Sequence, residues 1–301
     1  MKRVIVIVSA FGIAGAGLFL ASRIIVLNPN DVSARADMSS TLAFVSEPSV
    51  ALENDRFTFA IRKQSTDGSA PTIATTVAES VHLAASPVGG RIAYTGVSDG
   101  KISLIVANAD GSGATPIAEG DVYANWSPDG ATLVFSPANG GGIFRVPASG
   151  GTAETILDRG GQPAWSPDAT SIAFTDGGDL WVMAADGSDS RALTSDGFDA
   201  HDMEPQWSPD GRSILFRSTR DGTCETCAES TSPFDLYSLD PTTGELSRVT
   251  HNTTHEQHAV WSPDGSLIAF DDGDVVYTID PSKPDSVKVV QRDAFMPSWL
   301  S

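Results

Sequence analysis

Positive charge is what this chain has least of. Its 301 residues carry 19 lysines and arginines against 38 acids, a formal net charge of −19. No cluster of bases offsets that deficit locally. A polyanion is repelled by phosphate backbones and by anionic lipid surfaces, so DNA and RNA are excluded as partners. Cysteine is almost missing as well, with two residues, and histidine is scarce, with five. Beyond residue 36 there is no long amphipathic helical pattern, while Gly 28 and Pro 18 supply many turns. That combination points to an all-β protein.

What is present begins at the N-terminus. Met1-Lys2-Arg3 precedes an uncharged run from Val4 to Ser22, and a second apolar patch follows Arg23. At helical rise the run spans roughly 28 Å, close to a bilayer core. The expectation is a transmembrane or signal helix over residues 1–27, with a linker over 28–40 and the folded domain over 41–301. The two leading cations favour a cytoplasmic N-terminus and an exported remainder. The run is longer than a usual signal-peptide core, which favours a single-pass anchor in the cell membrane. Ala34-Arg35-Ala36 offers a small-x-small cleavage site, and cleavage there yields a secreted protein.

A phrase then repeats. Trp-Ser-Pro-Asp-Gly or a close variant stands at Trp126, Trp165, Trp207 and Trp261, a shortened copy at Trp299, and a copy with Ala85 in the Trp place. The interval is about 40 residues, the length of a propeller blade. Nine places past the Trp position stands an aromatic: Tyr94, Phe135, Phe174, Phe216 and Phe270. A fixed interval fits two strands joined by one turn. Pro presets φ, Asp hydrogen-bonds onward and Gly accepts positive φ. The Trp supplies a large apolar plate for the neighbouring sheet.

Third and fourth strands follow in each unit, as in "DLWVMAAD" and "SRALTS", giving five complete four-stranded units. The sixth opens at Trp299 and stops. "TLAFVS", "RFTFAIRK" and "PTIATTVA" near the N-terminus supply its missing strands. The expected fold is a six-bladed β-propeller with split-blade closure, which removes exposed sheet edges.

"WSPDG…IAF" followed by "DLWVMAADG…RALT" resembles the TolB-type, WD-like β-propeller repeats over nearly all of the chain beyond residue 36. The resemblance implies a propeller fold. Related propellers serve as periplasmic interaction platforms, as domains of prolyl-oligopeptidase-like peptidases, and in oligogalacturonate lyases, whose channel holds a metal through a His-and-Gln set.

Candidate chemistry sits just ahead of the repeated phrase. Three places before the Trp position stand His82, Tyr123, Gln162, Glu204, His258 and Met296. Six places before stand Glu79, Gly120, Arg159, His201, His255 and Asp293. Equivalent loops converge on one end of a propeller channel, so His82, Gln162, Glu204, His258, His201 and His255 form a candidate ligand-binding mouth. Imidazoles and carboxylates have the chemistry to hold a divalent metal, with His82, Glu204 and His258 as the candidate ligands. A plain polar lining of a wet channel uses the same residues.

Cys224 and Cys227 lie in the one overlong repeat, and in an exported protein they read as a disulfide that pins a loop. "GVSDG" at Gly96 fits the nucleophile-elbow pattern in letters but joins two strands, where that motif needs a strand turning into a helix.

The functional expectation is a monomeric, extracytoplasmic, membrane-tethered propeller, a scaffold for an envelope or cell-surface protein or a small ligand. The alternative is a metal-dependent lyase or hydrolase working at the channel mouth.

Overall fold

The computed structural model describes residues 6–10, 21–25, 41–46, 58–65, 72–78, 82–195, 200–221, 234–251 and 255–300. The chain divides into two units, Met1–Arg35 and Ala36–Ser301.

In the first unit the described residues form strands Val6–Ala10 and Ala21–Ile25, paired antiparallel. This corrects the expected helix where residues are described. The physical reason is the composition at both places: Val, Ile and other β-branched residues are stiff at χ1 and favour the pleated conformation. The rest of that expected helix lies outside the described residues. Among the described residues no helix is long and apolar enough to cross a membrane.

The second unit is an all-β propeller. Five blades are four-stranded antiparallel sheets of consecutive strands. Their innermost strands are Leu83–Ala85, Val122–Trp126, Gly161–Trp165, Asp202–Trp207 and Gln257–Trp261. They are numbered one to five in that order. A further four-stranded sheet is composite: Ala294–Leu300 pairs with Thr41–Ser46, which pairs with Thr58–Ser65 and then Thr72–Ala78. Trp299 stands opposite Leu42, and Ala294 opposite Ser46.

The repeated phrase builds one turn many times over. In blade two, Ser127 Oγ donates to Asp129 Oδ1 at 2.6 Å, Ala131 N–H donates to the same oxygen at 2.9 Å, and Thr132 N–H donates to Ser127 Oγ at 2.9 Å. The set recurs at Ser166–Asp168, Ser208–Asp210 and Ser262–Asp264. Each carboxylate thus replaces a backbone acceptor and fixes the reversal. In blade three Ala169 takes the Gly place and still adopts a positive φ of 60°.

The cores lie between neighbouring sheets. Leu104 and Val106 of blade one pack with Trp126, Leu133 and Phe135 of blade two. Leu215 and Leu236 of blade four pack with Ile268, Phe270 and Ile279 of blade five. Leu42, Phe44 and Trp299 of the composite sheet pack with Ala269 and Val276 of blade five. The Trp plate does this bridging directly in two repeats: Trp126 Nε1 donates to Ala84 O of the preceding blade at 3.1 Å, and Trp299 Nε1 to Val260 O at 3.4 Å. Each buried plate removes a large apolar area from water, on the order of 150–250 Å² for an aromatic side chain.

Candidate functional site

Four innermost strands carry the same irregularity. Their pairing with the second strand shifts between Gly161 and Ala164, Met203 and Gln206, Gln257 and Val260, and Phe295 and Ser298. Inside each shift one residue is left-handed: Gln162 at φ 51°, Glu204 at 55°, His258 at 50° and Met296 at 50°. A bulge adds a residue, bends the strand and re-aims a side chain. The re-aimed residues are the column three places before the Trp position. With His82 and Tyr123 they line one axial pocket of about 90 Å³, room for roughly three water molecules.

The ring is stitched from blade to blade. Glu204 N–H donates to Gln162 Oε1 at 3.1 Å, and His258 N–H donates to Glu204 Oε2 at 2.9 Å. Met296 N–H donates to Asp271 Oδ2 at 2.9 Å, and Gln162 N–H to Ser136 Oγ at 2.9 Å. Each side chain caps the strained backbone of the next repeat, which satisfies a donor that the bulge removed from the ladder.

A second column, immediately after the repeated aromatics of strand two, supports the first. Arg217 Nη2 lies 3.0 Å from Glu204 Oε1, an ion pair without the alignment of a hydrogen bond. Asp271 Oδ2 lies 2.9 Å from His258 Nδ1. Thr175 Oγ1 donates to Gly161 O at 3.2 Å. Arg217 is itself held over the Phe234 ring at 4.4 Å. These supporting residues were not picked out by the spacing argument. Their one signal is that the place after the aromatic is polar in five repeats, as Thr95, Ser136, Thr175, Arg217 and Asp271.

Charge in the pocket is settled by these contacts. Burial pushes the Glu204 carboxyl up, but His258, Arg217 and the His258 N–H together outweigh it and hold the group below its ordinary range. Burial pushes the His258 imidazole down, and Glu204 and Asp271 outweigh that and raise it. Burial dominates at His82, which falls from its ordinary 6.5 to about 4 despite Asp121 nearby. The ring of His82 rests on Tyr123 with centroids 3.9 Å apart. At neutral pH the mouth therefore presents a neutral His82 imidazole and Tyr123 phenol beside a buried group in which Glu204 and His258 favour each other's charged forms.

The two candidate columns separate. His82, Gln162, Glu204 and His258 share the axial pocket. His201 does not: it is exposed and borders a wider cleft of about 330 Å³, and its N–H donates to Thr219 Oγ1 at 3.0 Å. His255 packs edge-on against Phe234, with centroids 5.1 Å apart. Arg159 pairs with Asp176 and lies over Trp181. Glu79, Cys224 and Cys227 lie outside the described residues, and with them the expected disulfide. Among the described residues no group of three or more His, Cys, Asp or Glu is placed to hold a metal ion. Two of the candidate ligands, Glu204 and His258, are already engaged by Arg217 and Asp271.

Residues 157–279 match the family described as the TolB beta propeller domain. These are TolB-type propeller repeats. No curated protein matches the chain. Among solved structures, TolB from Acinetobacter baumannii is 19% identical with a TM-score of 0.70, covering 88% of this chain and 68% of that one. A nidogen/laminin complex gives 13% identity and a TM-score of 0.62, covering 86% and 98%. An oligogalacturonate lyase in complex with manganese gives 16% and 0.53, covering 97% and 85%. At these identities the likeness is one of fold, and the propeller supplies the frame on which the ring of bulged residues is mounted.

Proposed function

We propose that the protein is a six-bladed, extracytoplasmic recognition module, tethered through its N-terminal segment, that binds an envelope or cell-surface protein or a small ligand at the axial mouth. One observation carries the reading. Residues at one place in four repeats, Gln162, Glu204, His258 and Met296, leave the regular ladder and meet His82 and Tyr123 around a single pocket. Strain of this kind, about 1–3 kcal/mol per left-handed residue, is kept where the surroundings enforce it and function uses it. The TolB-type repeats and the propeller in the nidogen/laminin complex support protein recognition as the class. The rival reading, a metal-dependent lyase or hydrolase, rests on the same pocket.

A photo-crosslinking residue placed at Tyr123 tests the mouth. Its adducts in whole envelopes should differ from those of the same residue at Val289 on the outer edge. Identical adducts from the two positions would refute recognition at the mouth. Metal analysis of the purified full chain separates the rival: a stoichiometric transition metal, lost on Glu204→Gln together with thermal stability, would favour the enzyme.

A further inference from the structure

The opposite end of the axis has a different chemistry. There the repeated phrase itself lines a funnel of about 460 Å³, wider than the pocket at the mouth and sharing Asn125, Gln206 and Val260 with it. Volumes of a few hundred Å³ lined by aromatic side chains with a few polar groups are typical of binding cavities. Its walls are the indoles of Trp165, Trp207 and Trp261, and its lip is Pro128, Pro167, Pro209 and Pro263. In blade one Ala85 stands where the others have Trp, which opens the wall on that side.

Two further observations say what fits. The lip is ringed by carboxylates. Asp129, Asp168, Asp210 and Asp264 sit in the turns that follow the prolines, all exposed or nearly so. Hydrogen bonds from Ser127 and its counterparts hold these four groups below the usual carboxylate range, so all are charged at neutral pH. The third strand of each blade returns to the same end, and its turns add Asp110, Asp186, Asp240 and Asp280. Few cations interrupt this field: Arg212 lies 3.9 Å from Asp210, and Lys283 pairs with Asp280 at 2.7 Å.

The second observation is a cation already seated on one of these plates. The Arg91 guanidinium lies over the Trp126 ring at 4.9 Å, and its Nη2 donates to Gly130 O. Trp126 is correspondingly covered, at 4% exposure, while Trp165, Trp207 and Trp261 are half-open. Those three also lack the indole N–H bond that ties Trp126 to the preceding blade, so they are the plates freest to adjust to a guest.

We propose that this funnel docks a basic segment of a partner protein, with an apolar side chain seated among the three open indoles and flanking lysines or arginines lying over the aspartate ring. An apolar anchor in a pocket supplies affinity, and the surrounding charges supply steering and orientation. None of the tryptophans, prolines or aspartates it uses lines the mouth with His82 and Glu204, so it stands or falls without that reading.

Fluorescence anisotropy with the full chain and three labelled peptides at low salt tests it. The first is a lysine–serine peptide with a central Trp-Pro pair. The second replaces lysine by glutamate. The third keeps the lysines and replaces Trp-Pro by Ser-Gly. The first should bind at least about tenfold more tightly than either other, a difference of about 1.4 kcal/mol. Ala85→Trp fills the open wall and should weaken it by about tenfold or more. The four-fold change D129N, D168N, D210N and D264N keeps the acceptor oxygen of each turn and removes the charge. It should weaken binding comparably and flatten its salt dependence. Equal binding of the second or third peptide overturns the proposal, as does no binding of the first. Unchanged affinity in Ala85→Trp, with an unaltered melting curve, overturns it too. Should Ala85→Trp fail to fold, unchanged affinity in the aspartate variant does the same.

Discussion

Glu204 Oε2 accepts the backbone N–H of His258 across 2.9 Å, from one blade to the next. Its other oxygen faces Arg217 at 3.0 Å on its own blade. One buried carboxylate therefore joins two repeats and faces two basic side chains. Replacing Glu204 by Ala strands Arg217 without its counter-charge and the His258 N–H without its acceptor, and breaking a buried pair from one side costs about 3–5 kcal/mol. Glu204→Gln, which keeps an acceptor for the His258 N–H, should cost less. Urea denaturation of the two variants beside the parent checks the order.

The histidines of the mouth should shape stability against pH in opposite senses. His82 has its folded pKa lowered to about 4 from an ordinary 6.5. Between those values the unfolded chain binds more protons, so stability rises with pH through that window. His258 is raised. Its contribution is fully present below about 6.5 and is lost as pH climbs through the folded value. Glu204 is lowered, so its contribution is present above the ordinary carboxylate range and fades as pH falls through the folded value. A stability maximum near pH 6.5 follows from the two histidines. His82→Gln should flatten the rising limb, and His258→Gln the falling one, in denaturation midpoints measured at several pH values.

Gly160 sits at φ 77°, and a Cβ there would lie 2.7 Å from Phe174 Cδ2 and 2.9 Å from Thr175 O. Both the left-handed backbone and the backbone oxygen resist a side chain. Gly177→Ala, with open space at its Cβ position, should cost only the φ strain, about 1–3 kcal/mol, and Gly160→Ala should lower stability by more than that. Thermal melting of the pair separates crowding from conformation.

Trp299 packs with Leu42 and Phe44 from the other end of the chain and with Ala269 and Val276 of blade five. Trp299→Ala should cost about 3–5 kcal/mol, the usual range for removing a buried aromatic. Deleting Phe295–Ser301 should go further and yield self-associating material on size-exclusion chromatography, because it unpairs the long edge of Thr41–Ser46. A monomer as heat-resistant as the parent would contradict the role given to the composite sheet.

Much of this fold is legible in the letters because one sentence is repeated. A repeat of about 40 residues with Trp-Ser-Pro-Asp-Gly at its centre specifies a turn by chemistry and a sheet by period. The alignment on Trp also found the pocket, since a fixed offset along equivalent strands is a fixed height along the axis. It failed at the offset of six, where His201 and His255 meet different neighbours, Thr219 and Phe234. It also missed Arg217 and Asp271, whose importance comes from the neighbouring strand and not from any nearby letter. At the N-terminus, hydrophobicity and length read as a helix, while β-branched residues at Val6–Ala10 and Ala21–Ile25 take the strand form.

Leu42 and Trp299 are neighbours in one sheet and stand near opposite ends of the polymer. During synthesis the strand Thr41–Ser46 must wait, unpartnered along one side, until Ala294–Leu300 leaves the ribosome. Contacts so distant in the chain form late, since the entropy of bringing them together is met before they repay it. Each blade can take shape as it emerges, but the composite sheet locks only once Ala294–Leu300 is available, so a chain stopped before that strand carries a sticky seam open to quality-control proteases.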